Sequence, residues 1–230
     1  MDWHDKLNQR IVRCQLCPRL VPYRERIGRE KKREFRDWDY WAKPLPSLGD
    51  PDARLLIIGL APGAHGANRT GRMFTGDSSG RWLFRALHKA GFANQPSWQR
   101  RDDGLKLIGS YITAACHCAP PDNKPLPKEI TNCSVYLDEE LKYLKDVRVV
   151  IVLGKIAFDN YLKGLRRLDV ALPKPLPRFA HNTVYQLGGK LPTLIASYHP
   201  SRQNTNTGKL TEPMFDAVFA RARRMLRSAS

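Results

Sequence analysis

The chain has 230 residues, 42% of them hydrophobic, which is length for one domain with a real core and ordinary composition for a globular fold. Its 39 Lys and Arg against 22 Asp and Glu leave a formal net charge of +17, which points to a polyanionic partner, because cations that neutralise phosphates release counterions. No apolar run is long enough to span a bilayer and residues 1–5 are polar and acidic, so a membrane partner is excluded and a cytoplasmic protein is expected, nucleoid-associated in a prokaryote.

In chain order, residues 3–13 predict a helix with Leu7, Ile11 and Val12 on one face. It runs into Cys14-Gln15-Leu16-Cys17, a CxxC pair. From Arg24 to Lys43 the chain is densely charged, with Phe35, Trp38, Tyr40 and Trp41 interleaved. Bases can stack on such rings, but rings among charges more often pack a helix and loop onto the body, and that is the expectation here. Pro44, Pro46 and Pro51 precede a first strand at 54–59. Residues 59–77 then form a loop far longer than the roughly two to six residues a strand-to-helix connection needs. It holds four glycines after Gly59, with His65, Asn68, Arg69, Arg72, Phe74 and Asp77.

A helix over 81–90 follows, capped by Ser78 or Ser79 and stopped by Gly91. Residues 93–105 read as a loop. A second strand at 110–115 leads into Cys116-His117-Cys118-Ala119-Pro120-Pro121-Asp122-Asn123-Lys124-Pro125, and 130–144 is helical by period. The β-branched run 147–153 predicts a strand buried on both faces, followed by a helix to about Leu162 and a basic, proline-rich loop over 164–182. A hairpin near Gly188-Gly189 leads to the last core strand at 193–197, and the final helix starts near Pro213. This alternation predicts an α/β fold, a three-layer sandwich with a mostly parallel sheet. In such a sheet the loops 59–77, 116–125 and 198–208 share one edge, which argues for one active site.

Five cysteines in a chain of this kind argue for metal or redox chemistry over a disulfide framework. Four thiolates, Cys14, Cys17, Cys118 and Cys133, suit an iron–sulfur cluster or a structural zinc, and Cys116 competes with Cys118 for the third position. His199-Pro200-Ser201-Arg202-Gln203 places a histidine at a strand end before a small-polar and basic loop, able to touch a base edge and phosphates together.

The stretch Gly59-Leu60-Ala61-Pro62-Gly63-Ala64-His65-Gly66 … Asn68-Arg69-Thr70-Gly71 … Phe74-Thr75-Gly76-Asp77 resembles motif one of the family 5 uracil-DNA glycosylases. His199-Pro200-Ser201-Arg202-Gln203-Asn204-Thr205 resembles their motif two, and Cys118-Ala119-Pro120-Pro121 … Asn123-Lys124-Pro125 the loop between. The likeness runs from about Cys14 to the last helix. It implies a single domain over 1–230, an α/β/α sandwich on a four-stranded sheet, whose N-terminal segment is tied down by a [4Fe-4S] cluster on Cys14, Cys17, Cys118 and Cys133. It implies a monomer that excises uracil, and with it hypoxanthine and xanthine, from duplex and single-stranded DNA.

The resemblance further implies that Phe74 stacks on the flipped base, Asn123 reads its polar edge, and His199 stabilises the leaving base. Gly63 and His65 complete the substrate pocket, and Ser201, Arg202, Gln203 and Arg69 contact DNA. Ala61 stands where uracil-specific relatives carry a water-positioning carboxylate. That role passes to Asp77, with His65 in reserve. Asp77 could instead merely cap the next helix, which would lower its pKa and weaken it as a base. No lysine in the three loops has a partner suited to make it a nucleophile, so a monofunctional hydrolase is expected, and the absence of a basic insertion after motif one implies turnover. A non-catalytic iron–sulfur protein that senses lesions and a zinc-stapled RNA-binding module are the alternatives.

Overall fold

A computed structural model describes residues 2–228. Its centre is a six-stranded sheet: β1 (Leu48–Gly49), β2 (Leu55–Gly59), β3 (Ser110–Ala114), β4 (Val149–Leu153), β5 (Thr183–Tyr185) and β6 (Thr193–Ser197), in the order β1-β3-β2-β4-β6-β5. The inner four strands are parallel, with Ile57 opposite both Ile112 and Ile151, and Ile151 opposite Ile195. The expected four-stranded sheet is therefore the parallel core of a larger mixed one. β1 and β5 pair antiparallel at the two edges; β5 with β6 is the expected hairpin, while β1 is too short to leave a periodic signal.

Side chains of the inner strands alternate between two covered faces, which is why these strands read as unbroken apolar runs. Leu55, Ile57, Ile112, Ile151 and Ile195 pack under helices α4 (Ser78–Lys89) and α8 (Glu212–Ser228). Leu56, Ile58, Tyr111, Val150 and Leu194 pack under α5 (Pro127–Tyr143) and α6 (Lys155–Arg167). α6 runs on into the stretch expected as loop.

A third core has a different composition. Helices α1 (Trp3–Val12) and α2 (Leu20–Glu30) bury Leu7, Ile11 and Leu20 against Cys17, Cys116, Cys118, Cys133 and Tyr136. Two short helices interrupt loops expected to be irregular, α3 (Ala67–Thr70) and α7 (Arg202–Asn206). Among the described residues no helix is long and apolar enough to cross a membrane.

One buried acid lies outside the sheet edge that carries the loops. Glu140 of α5 is 0% exposed and accepts hydrogen bonds from Ser47 Oγ and Tyr111 OH, with no ion pair among the described residues. Burial lifts its pKa from 4.5 to about 7. A folded-state value above the unfolded one gives stability that is complete below about pH 4.5 and lost as pH rises through 7. Glu140→Gln removes that loss. Urea melts should show the variant gaining stability over wild type as pH rises from about 4.5 to 7.5, towards a ceiling of roughly 3 kcal/mol; parallel pH profiles across that window would show that Glu140 does not titrate there.

Candidate active site at the carboxyl edge of the sheet

The parallel strands deliver their C-terminal ends to one edge, and short backbone links hold the loops there: Ala115 N to Gly59 O at 3.0 Å, Cys116 N to Leu60 O at 2.9 Å, and Gly154 N to Ser197 O at 2.8 Å. Phe74, from the loop after β2, meets His199, from the loop after β6, with ring centroids 5.9 Å apart and planes at 32°. Phe74 has φ +53°, a left-handed backbone that turns its ring back over the strand end. Only glycine fits beneath it, since a Cβ on Gly59 would lie 2.6 Å from two ring atoms.

The long loop folds on itself. Gly66 N and Asn68 N both donate to Gly63 O, α3 forms one turn, and Gly71, with φ +76°, ends it. The returning chain packs Gly76 directly on Gly66. Asp77 follows. Its Oδ1 accepts from Gly80 N at 3.0 Å, capping α4, while Oδ2 lies in a notch: a Cβ on Gly66 would be 2.7 Å from that oxygen and one on Gly63 3.1 Å. Asp77 is thus both cap and seated carboxylate. The expectation that capping would lower its pKa is overturned: desolvation raises it above the usual carboxylate range, against the lowering effect of the Gly80 and Ser79 amides and of Arg202 and Arg69. A carboxylate so placed is a better proton acceptor than an exposed one.

His199 is also perturbed. Burial holds its pKa at about 4, so the ring is neutral at physiological pH. Asn204 Nδ2 donates to its carbonyl at 2.8 Å, and Ser201 Oγ caps α7 by accepting from Asn204 N. Arg202 and Gln203 project exposed from that first turn. Asn123 lies in the one-turn 3-10 helix Pro121–Asn123, exposed and with φ +57°. Its side chain makes no hydrogen bond among the described residues. His65 is fixed through Nδ1, 3.1 Å from Tyr40 OH, and its pKa is lowered by burial and by the nearby charges of Lys32 and Arg69.

Two residues differ from expectation. Arg69 is 2% exposed, its guanidinium 3.8 Å and 4.1 Å from the ring centroids of Phe35 and Trp38, so it is no surface DNA contact. Tyr40, which orients His65, reads in the sequence only as one of the packing rings. The segment that supplies all three aromatics does pack onto the body, as expected.

All five cysteines are unpaired and line one pocket behind the loops. The α2 residue Arg24, 2% exposed, donates to Cys118 Sγ at 3.3 Å, and His117 N donates to Cys133 Sγ at 3.3 Å. Cys116 Sγ instead donates to the Cys118 carbonyl at 3.5 Å. Burial pushes the Cys118 thiol up to about 12, so its thiolate needs positive charge beside it, of which Arg24 supplies one. Converging thiols with amide and guanidinium donors fit a tetrathiolate metal or cluster site. Ala61 packs against this same core and offers the pocket no polar group.

Comparison with known proteins finds relatives over nearly the whole chain. A family model described as the uracil DNA glycosylase superfamily matches residues 46–223. A type-5 uracil-DNA glycosylase of Thermus thermophilus is 50% identical over 221 residues, covering 94% of this chain and 95% of the relative. Type-5 uracil-DNA glycosylases of Mycobacterium tuberculosis and Pyrobaculum aerophilum are 46% and 44% identical, each over 96% of this chain and over 81% and 92% of their own lengths.

Proposed function

The chain belongs to the type-5 uracil-DNA glycosylases of the uracil DNA glycosylase superfamily, and on that premise we propose how its residues divide the reaction and how far its substrate range extends. The enzyme hydrolyses the N-glycosyl bond of uracil in DNA, in base-excision repair.

The target nucleotide first leaves the stack, at a cost of roughly a few kcal/mol. Arg202 and Gln203, exposed on α7, enter the minor groove and hold the gap, with Ser201 on the adjoining phosphate. The flipped base stacks on Phe74, within the pocket that Gly63 and His65 complete, and Asn123 reads its polar edge. Water adds to the anomeric carbon as the C–N bond breaks. The bonding pair leaves with the base, and the water's proton passes to Asp77. The charge of Asp77 also offsets the sugar cation. His199, a neutral imidazole, donates to the base oxygen on which negative charge develops.

The observation that carries this reading is the seat of Asp77: a carboxylate in the glycine notch, beside Phe74 in the same loop, whose ring meets His199. With Ala61 apolar, no charged group in that position gates the pocket, and we extend the range to hypoxanthine and xanthine in duplex and single-stranded DNA. Cys14, Cys17, Cys118 and Cys133 would hold a [4Fe-4S] cluster. When bound it supplies a covalent staple between the N-terminal helices and the sheet edge, and it takes no part in the hydrolysis.

Purified protein incubated with oligonucleotides bearing uracil, hypoxanthine or xanthine, then treated with alkali, should give strand breaks at all three. Breaks at uracil alone would confine the enzyme to pyrimidines. His199→Ala should slow uracil excision by about 10²–10³-fold, the range for losing one oxyanion donor. A purine rate reduced as much as the uracil rate would contradict a role tied to the uracil anion.

A further inference from the structure

Arg69 is unusual among the cations of this chain. It is buried and forms no ion pair among the described residues. Burial of a cation without a counter-ion is unfavourable, and here two aromatic faces and two carbonyls offset it. The guanidinium lies on Phe35 and Trp38, 3.8 Å and 4.1 Å from their centroids. Nε donates to His65 O at 2.9 Å and Nη2 to Gly76 O at 3.0 Å.

Those carbonyls belong to opposite ends of the catalytic loop. The His65 carbonyl precedes Gly66, which forms the floor of the notch, and the Gly76 carbonyl belongs to the peptide that leads into Asp77. The two ends are already in contact, since a Cβ on Gly76 would lie 2.6 Å from Gly66 O. One planar fork therefore fixes the separation of the notch from the residue seated in it.

We propose that Arg69 is the positioning residue for Asp77: its guanidinium, held between Phe35 and Trp38, clamps both ends of the loop and keeps the carboxylate in the notch at Gly63 and Gly66. The proposal rests on the reading of Asp77 as the water-positioning group. It also gives the ring-bearing segment around Phe35 and Trp38 a task in the reaction, as the wall that keeps the fork dry. Lysine cannot substitute, because a single ammonium lacks the two-pronged geometry. Arg69 also acts on Asp77 by charge. The cations facing Asp77 are Arg202, from α7, and Arg69, and both favour its ionised form; Tyr40 and Glu34 in turn face Arg69.

The test is single-turnover uracil excision at saturating enzyme from pH 5 to 9, with duplex affinity measured against salt, for wild type, Arg69→Met, Arg69→Lys, Trp38→Leu and Asp77→Asn. Arg69→Met should lose about 10²-fold in rate, the scale of a misplaced catalytic group, and its acidic limb should move to higher pH because one cation no longer favours the Asp77 carboxylate. Arg69→Lys should lose rate but keep the limb, and Trp38→Leu should lose rate with Arg69 still present. Duplex affinity and its salt slope should not change. An Arg69→Met protein with full rate but weaker, less salt-dependent binding would make Arg69 a phosphate contact and overturn the proposal. So would a rate loss in Arg69→Lys and Trp38→Leu that tracks their melting temperatures with no shift of the limb in Arg69→Met, the pattern of a scaffold residue. If Arg69→Met does not fold, full rate in both Arg69→Lys and Trp38→Leu overturns it. Full rate in Asp77→Asn would remove the Asp77 reading and this proposal with it, a result independent of any Arg69 variant.

Discussion

Asp77→Asn should reduce the single-turnover rate of uracil excision by about 10²–10⁴-fold, the contribution of a positioned proton acceptor, and leave duplex binding intact. The variant isolates the charge because asparagine caps helices as well as aspartate, so the bond from Gly80 N is retained. It should also stabilise the protein. Desolvation raises the folded-state pKa of Asp77 above its unfolded value, and a raised value means stability that is present at low pH and lost as pH rises through it. The wild type therefore holds an unfavourable charge at pH 8 that Asp77→Asn lacks, and the variant should melt higher at pH 8 than wild type, with the gap closing in acid. Asp77→Ala loses the cap as well, worth about 0.5–2 kcal/mol, and should fall in both rate and melting temperature. An inactive Asp77→Asn protein that melts below wild type at pH 8 would show the carboxylate to be structural.

The second large effect concerns the thiols. Cys17→Ser or Cys133→Ser should abolish visible absorbance and lower the melting temperature by roughly 10 °C or more, while Cys116→Ser should keep both. The magnitude follows from the third core, where Leu7, Ile11, Leu20 and Tyr136 are the buried apolar side chains accompanying the cysteines. A metal-centred crosslink would add to these few residues, to the ion pairs Arg10–Glu139 and Arg19–Glu129, and to the polar and ring contacts of Asn8 with Ser47 and Trp3 with Tyr143 that hold α1 and α2. Cys118 is separated from Cys116 by its neighbours. The Cys118 sulfur accepts from the buried Arg24 guanidinium, a cation placed to offset the charge of a thiolate in a bound cluster. Colour retained in Cys118→Ser and lost in Cys116→Ser would reverse the assignment. Zinc with no visible band in wild-type protein would replace the cluster altogether.

The inner strands were legible because both of their faces are buried, which leaves uninterrupted runs such as Val149–Leu153. Of the edge strands, β5 was legible as the first arm of the hairpin at Gly188-Gly189, whereas β1, two half-exposed residues, carries no period. Asp77 could be read as cap or as acid, and only the folded loop shows one carboxylate in both positions. Arg69 misled for a different reason. A cation in a polar, glycine-rich loop reads as surface, and what buries it is a pair of rings more than thirty residues earlier in the chain. Nothing local distinguishes such an arginine from Arg202, which is exposed as expected.

The two flanking strands have a consequence for how the enzyme behaves in bulk. A parallel core with bare margins would present rows of unpaired amides and carbonyls to any similar molecule nearby. Here β1 covers one margin with only two residues and β5 the other with three, both running against the grain of the core. Replacing Gly49, at φ +132° and with an added Cβ in collision with Ser110 O, by a β-branched residue would push β1 off β3 and bare that margin as a template for pairing. The brevity of these strands thus acts as an insulation against self-templating, in a protein that must stay dispersed along a crowded polymer.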